Sequence, residues 1–316
     1  MAVGRLRLKH EGYDFPPYRP PSEAQSLLLR VTRGCPWNKC LFCSMYKGIP
    51  FERRTVEEIT RDIEAASALC RGVTQSIFIG DSNSLVIKTD TLVMILRALH
   101  KAFPDVERVT SYARAKTIAK KDTMQLQQIR EAGLVRLHVG LETGDAATLK
   151  FIKKGATPQE MVEAGLKTKE AGFELSLYVL LGIGGAERWQ EHADGTIAVL
   201  NAIDPHFIRV RTLVPQPGSP LFEMRQKGVF ALPSPDVILA EERRIIAGLD
   251  VTSEFLSDHI SNYLSLNGTM PRDKLVLVKY LDREVSRVQE DPVLLEIYRQ
   301  RESLCTSIRK YCGVSY

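Results

Sequence analysis

The sequence lacks any long apolar segment. No stretch of about 18 apolar residues occurs, so the sequence predicts no transmembrane helix. The first residues, MAVGRLRLKHEGYDF, contain no apolar core of a signal peptide, which argues against secretion and predicts a cytoplasmic protein. Strong charge of one sign is also missing. The net charge of +5 is compatible with nucleic acid or with an anionic small molecule, and it is diagnostic of neither.

Repeats and nucleotide-binding fingerprints are missing as well. No low-complexity tract occurs, and no GxGxxG dinucleotide-binding motif is present. With 316 residues, of which 44% are hydrophobic, the chain is long enough for one large core or for a core with an appendage.

Short apolar segments alternate with segments of helical spacing across most of the chain. The predicted strands are 26–32, 76–80, 106–113, 135–142, 174–182 and 206–215, and the predicted helices between them are 56–69, 89–103, 122–133, 158–172 and 188–203. This alternation predicts a parallel sheet built from β/α units. Six units are fewer than the eight of a closed barrel, so a three-quarter barrel and an open doubly wound sheet both fit.

Three of the six cysteines lie within nine residues, in the stretch RGCPWNKCLFC, at Cys35, Cys40 and Cys43. Thiols stay reduced in the cytoplasm, so the six cysteines do not indicate three disulfides. The cluster directly follows the first predicted strand, and the chemistry of parallel α/β folds gathers at the carboxyl ends of strands. Three thiolates can hold three corners of a four-iron cluster and leave the fourth iron open to a ligand.

Three other interpretations of the cysteines suit the sequence less well. A structural zinc ion would need a fourth Cys or His nearby, but Cys70 lies beyond a helix and the nearest histidine is distant. A redox dithiol would leave Cys35 unexplained. Chance clustering of buried thiols does not suit the hydrophilic neighbours Arg33, Asn38 and Lys39.

The cysteine loop resembles the signature of the radical S-adenosylmethionine (radical SAM) superfamily. In that family three cysteines after the first strand bind a [4Fe-4S] cluster, and S-adenosyl-L-methionine (SAM) chelates the open iron through its amino and carboxylate groups. The resemblance implies that Cys35, Cys40 and Cys43 are the cluster ligands and that Phe42 lies by the adenine. It covers residues 26 to about 222 and implies an α/β fold, a partial (β/α)6 TIM-like barrel of parallel strands, in agreement with the six units counted above.

One feature of the loop departs from the family pattern. PWNK places four residues between Cys35 and Cys40, where three are usual, whereas the second interval is standard. A bulge can absorb the extra residue, because ligation fixes the sulfur positions and not the path of the loop. The CX4CX2C spacing therefore leaves the predicted cluster ligands unchanged. It concerns the reaction that the cluster supports more than the binding of the cluster itself.

The resemblance also implies cofactor-binding residues at the ends of later strands. In FIGDSNS, Gly80, Asp81 and Ser82 would hold the methionine amino group, although these residue types also form turns. GLETG resembles the branch that holds the methylthiotransferases, the elongator catalytic subunit and the oxygen-independent coproporphyrinogen dehydrogenases, and there Glu142 would accept hydrogen bonds from the ribose hydroxyls. Independently of the resemblance, the glycines of LLGIGGAER follow a predicted strand, and Gly182 would allow close approach of the backbone to a nucleotide.

Alternation along the strands adds further candidates. His138 shares a face with Glu142, as a candidate catalytic residue or as a structural histidine. Arg209 and Arg211 alternate with apolar residues and cannot face packed helices without partners. They are therefore expected to face the barrel lumen as cofactor-binding residues, where a guanidinium can hold a carboxylate.

On the third strand Tyr112 and Arg114 share a face. Tyr112 is a candidate cofactor contact, and Arg114 is either a catalytic residue or part of a surface salt bridge.

The tail is predicted to be a helical extension, residues 223–316, that caps a barrel of residues 26–222, and residues 1–25 are predicted to be an extended lead-in. Asp258 and His259 belong to a set of polar residues at helical spacing, which we expect to close the mouth of the barrel and face the substrate, or else to be solvated. Cys305 and Cys312 are too few for an auxiliary cluster.

The function implied by the resemblance is reductive cleavage of SAM. A 5′-deoxyadenosyl radical would then abstract hydrogen from an unidentified, small-molecule substrate, with a flavodoxin or ferredoxin as electron donor. Alternatives are a transferase that moves an aminocarboxypropyl or methyl group after breaking a different C–S bond, a tRNA-modifying enzyme, and a non-catalytic iron–sulfur protein. Nucleic acid is the less favoured partner, since no appended RNA-binding domain is recognisable.

Overall fold

The computed structural model describes residues 18–70 and 72–300. Its main sheet has eight strands, namely β1 (Leu27–Arg30), β2 (Ser76–Gly80), β3 (Arg108–Ala113), β4 (Leu134–Glu142), β5 (Glu174–Leu181), β6 (Phe207–Thr212), β7 (Glu254–Ser257) and β8 (Leu266–Thr269). Strands β1 to β7 pair in parallel, and β8 pairs with β7 in antiparallel orientation. Residues Thr32–Arg33 and Glu52–Arg53 form a separate two-stranded ribbon around the cysteine loop.

Helices follow each of the first six strands. They are α1 (Val56–Cys70), α2 (Thr89–Ala102), α3 (Ala115–Ala119), α4 (Thr123–Glu131), α5 (Ala146–Phe151), α6 (Pro158–Glu170), α7 (Trp189–Ile203), α8 (Pro220–Gln226), α9 (Pro235–Gly248) and α10 (Lys274–Glu290). Local sequence explains the starts of two of them, because Asp122 and Thr157 form capping boxes at the N-termini of α4 and α6. Short 3₁₀ helices span Pro21–Glu23 and Ser84–Val86. None of the helices in the described residues is long and apolar enough to cross a membrane.

The strand order decides between the two architectures that the sequence allowed. The strands lie side by side in chain order, from β1 at one edge to β8 at the other. A doubly wound sheet reverses its strand order at a switch point, and this sheet does not. The structure therefore confirms the α/β prediction of a partial barrel with six parallel β/α units.

The two faces of the sheet carry different side chains, as the period of two along a strand requires. On the outer face, Val139 and Leu177 lie against Ile118, Met161 and Ile203, which belong to the surrounding helices. Toward the lumen, four rings stand in a row across β2 to β5. Ring centroids are 5.1 Å apart for Phe78 and Tyr112, 6.1 Å for Tyr112 and His138, and 6.1 Å for His138 and Tyr178.

The tail has the predicted helices and, in addition, two strands that the sequence did not predict. It contains α9, α10 and most of α8, but Phe255 to Ser257 belong to β7, and the polar residues from Asp258 to Tyr263 follow in turns rather than on one face of a helix. Strand β7 pairs with β6. Without this pairing β6 would present an open edge of unpaired N–H and C=O groups, so the tail continues the sheet of the barrel.

Candidate active site

A cavity of about 270 Å³ opens at the carboxyl ends of β3 to β6. The cysteine loop forms one wall, and the turn after β7 contributes to the rim. Eleven residues singled out from the sequence line the cavity, namely Cys35, Phe42, Cys40, Cys43, Ser82, Tyr112, Arg114, His138, Glu142, Arg211 and His259. The fold therefore brings most of the predicted site residues to one place.

The three thiols face this cavity as free, half-buried cysteines. Between the first two, Asn38 adopts a left-handed backbone conformation with φ +47°, which asparagine tolerates better than most residues. Its N–H donates to the Sγ of Cys35 over 3.4 Å, and its Nδ2 donates to the carbonyl of Tyr46 over 2.6 Å. The extra residue of the PWNK interval is thus accommodated in a turn held by Asn38.

The loop is fixed to the rest of the barrel by its backbone and by an indole. The N–H of Leu41 donates to the carbonyl of Ile152 over 2.9 Å, and the Nε1 of Trp37 donates to the carbonyl of Lys153 over 2.8 Å. Both acceptors lie just after α5. Hydrogen bonds within the protein therefore hold the cysteine loop and the segment after β4 together.

The donor chemistry of the loop fits an iron–sulfur cluster. Thiolates are the protein ligands of such clusters, with each sulfur on a different iron. Among residues 18–70 and 72–300, no three His, Cys, Asp or Glu side chains surround a single-ion position. Burial raises the pKa of Cys40 and raises that of Cys43 to about 11, and in both the Lys154 charge opposes this effect.

An ion pair lies beside the thiols at the end of β4. The Nζ of Lys154 donates to the Oε1 of Glu142 over 2.6 Å, and both side chains line the cavity. Glu142 has a left-handed φ of +64°, which is uncommon outside glycine and concentrates at functional sites. A Cβ at Gly140 would stand 2.1 Å from the Glu142 Oε1, so the glycine of the GLE stretch makes room for that carboxylate.

A hydrogen-bonded chain lies at the base of the lumen. His138 is fully buried, with its Nε2 3.2 Å from the Oε1 of Glu23 and its Nδ1 3.3 Å from the Tyr178 hydroxyl. Burial lowers the pKa of His138 to about 4, so the imidazole is neutral at pH 7. Burial opposes ionisation of Glu23, but hydrogen bonds from His138 and Ser26 outweigh it and hold the pKa of Glu23 at about 2.

These protonation states fix the direction of the chain. An ionised Glu23 only accepts, so His138 donates its Nε2–H to Glu23 and accepts from Tyr178 at Nδ1. Glu23 lies in the proline-rich lead-in, where no sequence pattern indicates a buried carboxylate. The arrangement shows that His138 does not face the cavity with a free nitrogen but orients the phenol of Tyr178.

The three arginines from the sequence prediction lie in different places. Arg114 lies 5.0 Å from the Trp37 ring centroid, and its Nη2 donates to the carbonyl of Lys154 over 3.2 Å. Arg211 covers the Tyr178 ring at 4.9 Å. Arg209 does not line the cavity, and its Nε instead donates to the Ser176 Oγ over 3.2 Å.

The residues after β2 support the cysteine loop. The Asp81 carboxylate lies outside the cavity lining and accepts from the Gly34 N–H over 2.9 Å and from the Arg30 Nε over 3.3 Å. Ser82 lines the cavity, and its Oγ donates to the Gly34 carbonyl over 3.0 Å. A direct cofactor contact by Asp81 or Gly80 is therefore not supported by their placement, because the Asp81 carboxylate holds the start of the loop.

Two further predicted residues also lie away from the cavity. Gly182 has φ +78° and donates its N–H to the Glu241 Oε2 over 2.8 Å, behind the strand end. Asp258 accepts from Asn267 at the surface over 3.2 Å, while the neighbouring His259 does line the cavity. Only one of the two tail residues predicted to face the substrate therefore reaches the site.

The tail is attached to the end of β6 by buried hydrogen bonds. The Asn262 Oδ1 accepts from the Thr212 N–H over 2.7 Å, and the Asn262 Nδ2 donates to the Val210 carbonyl over 2.9 Å. The Nδ1 of His259 lies 2.7 Å from the Ser261 Oγ, and both residues line the cavity. These bonds hold the turn after β7 over the strand ends.

Comparison with known proteins adds family information to this geometry. The family model described as "Radical SAM superfamily" matches residues 29–194. The chain is 28% identical over 200 residues to "Uncharacterized methyltransferase PH0819" of Pyrococcus horikoshii, which covers 62% of this chain and 41% of that protein. It is 25% identical over 303 residues to the biotin synthase of an Arthrobacter species, covering 90% of this chain and 80% of that one.

The archaeal Methanocaldococcus infernus Elp3 is 14% identical, with a TM-score of 0.49, and the match covers 72% of this chain and 58% of that one. This chain spans about two-fifths of the length of the Pyrococcus relative, so it corresponds to only part of that protein.

The family match contains the parts of the cavity that carry its chemistry. It begins in β1, ends in α7, and includes the cysteine loop and the Glu142–Lys154 pair. Members of the family are enzymes that use a [4Fe-4S] cluster and SAM. Because the match spans more than half of the chain, this protein belongs to the radical SAM superfamily.

Proposed function

We propose that the protein binds a [4Fe-4S] cluster through Cys35, Cys40 and Cys43, cleaves SAM reductively and acts on a small-molecule substrate. The observation that carries this proposal is the sharing of one cavity by three free thiols and the Glu142–Lys154 ion pair at the carboxyl ends of parallel strands. When bound and reduced, the cluster supplies one electron to the SAM sulfonium.

The residues beside the thiols suit the polar groups of SAM. Glu142 would accept hydrogen bonds from the ribose hydroxyls, and Lys154 would donate to the methionine carboxylate next to the open iron. Lys154 is close enough to Cys40 for its charge to oppose the rise in the pKa of that thiol. Phe42, whose ring centroid lies 5.8 Å from the Lys154 Nζ, would lie by the adenine. The Ser82 Oγ and nearby backbone carbonyls remain candidates for the amino group.

The remaining cavity residues would position the substrate and exclude water from it. Tyr178 enters the cavity with its hydroxyl fixed by His138, so its ring forms a rigid wall. The turn after β7 would complete the mouth, with His259 nearest the substrate and residues 223–300 acting as a cap. A radical intermediate needs such protection from stray hydrogen donors. A flavodoxin or ferredoxin is the proposed electron donor.

A transferase reaction is the second candidate. It is favoured by the similarity to a Pyrococcus protein named as an uncharacterized methyltransferase. A tRNA substrate is less favoured, because the described cavity is small and lies between the cysteine loop and the strand ends.

Product analysis separates the candidates. The protein is reconstituted anaerobically with iron and sulfide, reduced with dithionite and incubated with SAM, and the fragments are identified by mass spectrometry. We expect 5′-deoxyadenosine and methionine. Methylthioadenosine would indicate aminocarboxypropyl transfer, and S-adenosylhomocysteine would indicate methyl transfer. SAM left intact by a cluster-loaded protein would contradict the proposal.

A further inference from the structure

The positive groups of the cavity fall into two sets. Lys154 and Arg114 lie beside the cysteine loop, and their charges lower the pKa of Cys40, although burial dominates and raises it. Arg211 lies on β6 against Tyr178, at 4.9 Å from the ring centroid. Its charge lowers the pKa of Tyr178 and of Tyr112, although burial dominates and raises both. The cavity therefore has a cationic group on the side of the tyrosines as well as beside the thiols.

Arg211 differs from the other cavity cations in its partners. Lys154 is paired with Glu142, and Arg114 donates to a carbonyl. In the part of the chain that the structure describes, the Arg211 guanidinium makes no salt bridge and no hydrogen bond, and the ring that it covers is that of Tyr178. Glu142 is the only aspartate or glutamate among the described residues that line the cavity, and Lys154 already pairs with it.

A half-buried guanidinium with unused donors is suited to an anionic ligand. Its planar fork matches a carboxylate with two parallel hydrogen bonds, while its face rests on the phenol ring. The ring itself cannot move freely, because the Tyr178 hydroxyl is bound to His138, which is bound to Glu23. Arg211 is thus presented on a prearranged aromatic surface.

The carboxylate of SAM is not the natural ligand of Arg211. Under the proposed function SAM binds the open iron through that carboxylate, which places it beside the thiols, where Lys154 lies. Resting on that function, we infer that Arg211 binds a carboxylate group of the substrate and that the substrate is a small carboxylic acid lying against Tyr178. This departs from the sequence prediction, which gave Arg211 to the cofactor.

The test uses benzoate as the carboxylate and benzamide as its uncharged counterpart of the same shape. Both are titrated by calorimetry into the reconstituted 316-residue protein, with and without SAM. Wild-type protein, Arg211→Gln, Arg211→Lys and the control Arg209→Gln are compared, and thermal unfolding establishes that each variant is folded. Arg209 is matched because it lies two residues earlier on the same face of β6 but outside the cavity lining.

We expect wild-type protein to bind benzoate and to discriminate against benzamide. Arg211→Gln should lower benzoate affinity by about 10- to 100-fold, the range for a lost charge-assisted hydrogen bond. Arg211→Lys should retain part of the affinity, because it keeps the charge without the fork, and Arg209→Gln should bind benzoate as the wild type does.

Equal benzoate affinity in wild type and Arg211→Gln would overturn the inference, as would equal binding of benzoate and benzamide by the wild type. Loss of SAM affinity in Arg211→Gln, as large as in Glu142→Ala, would assign the arginine to the cofactor instead. Failure of the proposed function has a different signature, namely a wild-type protein that takes up no cluster or leaves SAM intact.

Discussion

The inner and outer faces of one sheet carry opposite kinds of side chain. The outward residues are aliphatic and almost completely buried against helices, among them Ile77, Val109, Val139, Leu177 and Ile208. Several residues of the inward face are aromatic or charged, among them Phe78, Tyr112, His138, Tyr178 and Arg211. Since adjacent residues of a strand serve the core and the cavity in turn, substitutions one position apart should affect different properties.

The largest effect on stability is expected on the outer face. Leu177, 3% exposed, packs between β5 and the helices, so Leu177→Ala should lower the free energy of unfolding by about 2–5 kcal/mol. Leu177→Met, which nearly conserves volume, should cost less than about 1.5 kcal/mol. Urea unfolding measures both. The amount of iron bound per folded chain should not change. A loss of iron from folded Leu177→Ala would contradict the claim that the outer face determines stability and the inner face determines cluster binding.

Glu142, which lines the cavity, and Asp81, which lies outside its lining, should behave differently although both are acidic. Glu142→Ala should weaken SAM binding by about 10- to 100-fold with normal iron content, because it removes a charge-assisted partner of the ligand. Asp81→Asn should lower iron content first, because the Asp81 carboxylate holds Gly34 at the start of the cysteine loop. Calorimetry and iron analysis measure the two variants. If Asp81→Asn instead weakened SAM binding and kept a normal iron content, as expected for Glu142→Ala, the assignment of Asp81 to the support of the cysteine loop would be contradicted.

Two buried carboxylates, one on each side of the sheet, should make stability depend on pH in opposite ways. Hydrogen bonds hold the pKa of Glu23 at about 2 despite burial, so its stabilisation is present above about pH 4.5 and is lost as the pH falls toward 2. Burial raises the pKa of Glu242, on α9, to about 7, and the hydrogen bond from Ser257 only partly opposes this. The contribution of Glu242 to the free energy of unfolding is full below about pH 4.5 and is lost as the pH rises through 7.

Replacement of each carboxylate by its amide should therefore change stability in opposite directions. At pH 8, Glu23→Gln should be less stable than wild type and Glu242→Gln more stable, as measured by urea unfolding. At pH 4.5 the advantage of Glu242→Gln should disappear, because both forms are then neutral at this position. An advantage for Glu242→Gln that is the same at both pH values would show that this carboxylate does not titrate in between.

The smallest effect is expected in the tail. His259 lines the cavity, whereas Asp258 lies at the surface with Asn267. Loss of one neutral hydrogen bond or contact is worth about 0.5–1.5 kcal/mol, so His259→Ala should speed the release of SAM by about 2- to 10-fold. Asp258→Ala is the matched control and should release SAM at the wild-type rate. Stopped-flow displacement measures both rates. Equal rates of SAM release from the two variants would contradict the proposal that His259 helps to close the mouth of the cavity.

The sequence was sufficient where a pattern repeats. Six strands, their order of appearance and the inward face of His138 and Glu142 follow from alternation of apolar and polar residues, and the cysteine loop follows from its spacing. Arg211 was correctly expected in the lumen for the same reason. Arg209 was expected in the lumen for the same reason, but it lies outside the cavity lining and donates to Ser176. Alternation predicts the face of a strand on which a residue lies, but not how far along the strand the cavity begins.

Other features depend on contacts between distant segments. Glu23 reaches His138 across 115 positions, and Lys154 meets Glu142 through a loop whose path no spacing predicts. The tail was misread because Asp258, His259, Asn262 and Tyr263 have helical spacing, whereas pairing with the open edge of β6 makes the segment before them a strand. Cys305 and Cys312 lie outside the described residues.

Iron analysis after anaerobic reconstitution tests the central claim most directly. Wild-type protein should bind about four irons per chain and show the absorption of a thiolate-bound cluster at about 400 nm. The triple variant Cys35→Ala, Cys40→Ala, Cys43→Ala should bind almost none, while Cys70→Ala should keep the full complement. Retention of four irons by the triple variant, or their loss from Cys70→Ala, would contradict the assignment of the cluster to the cavity.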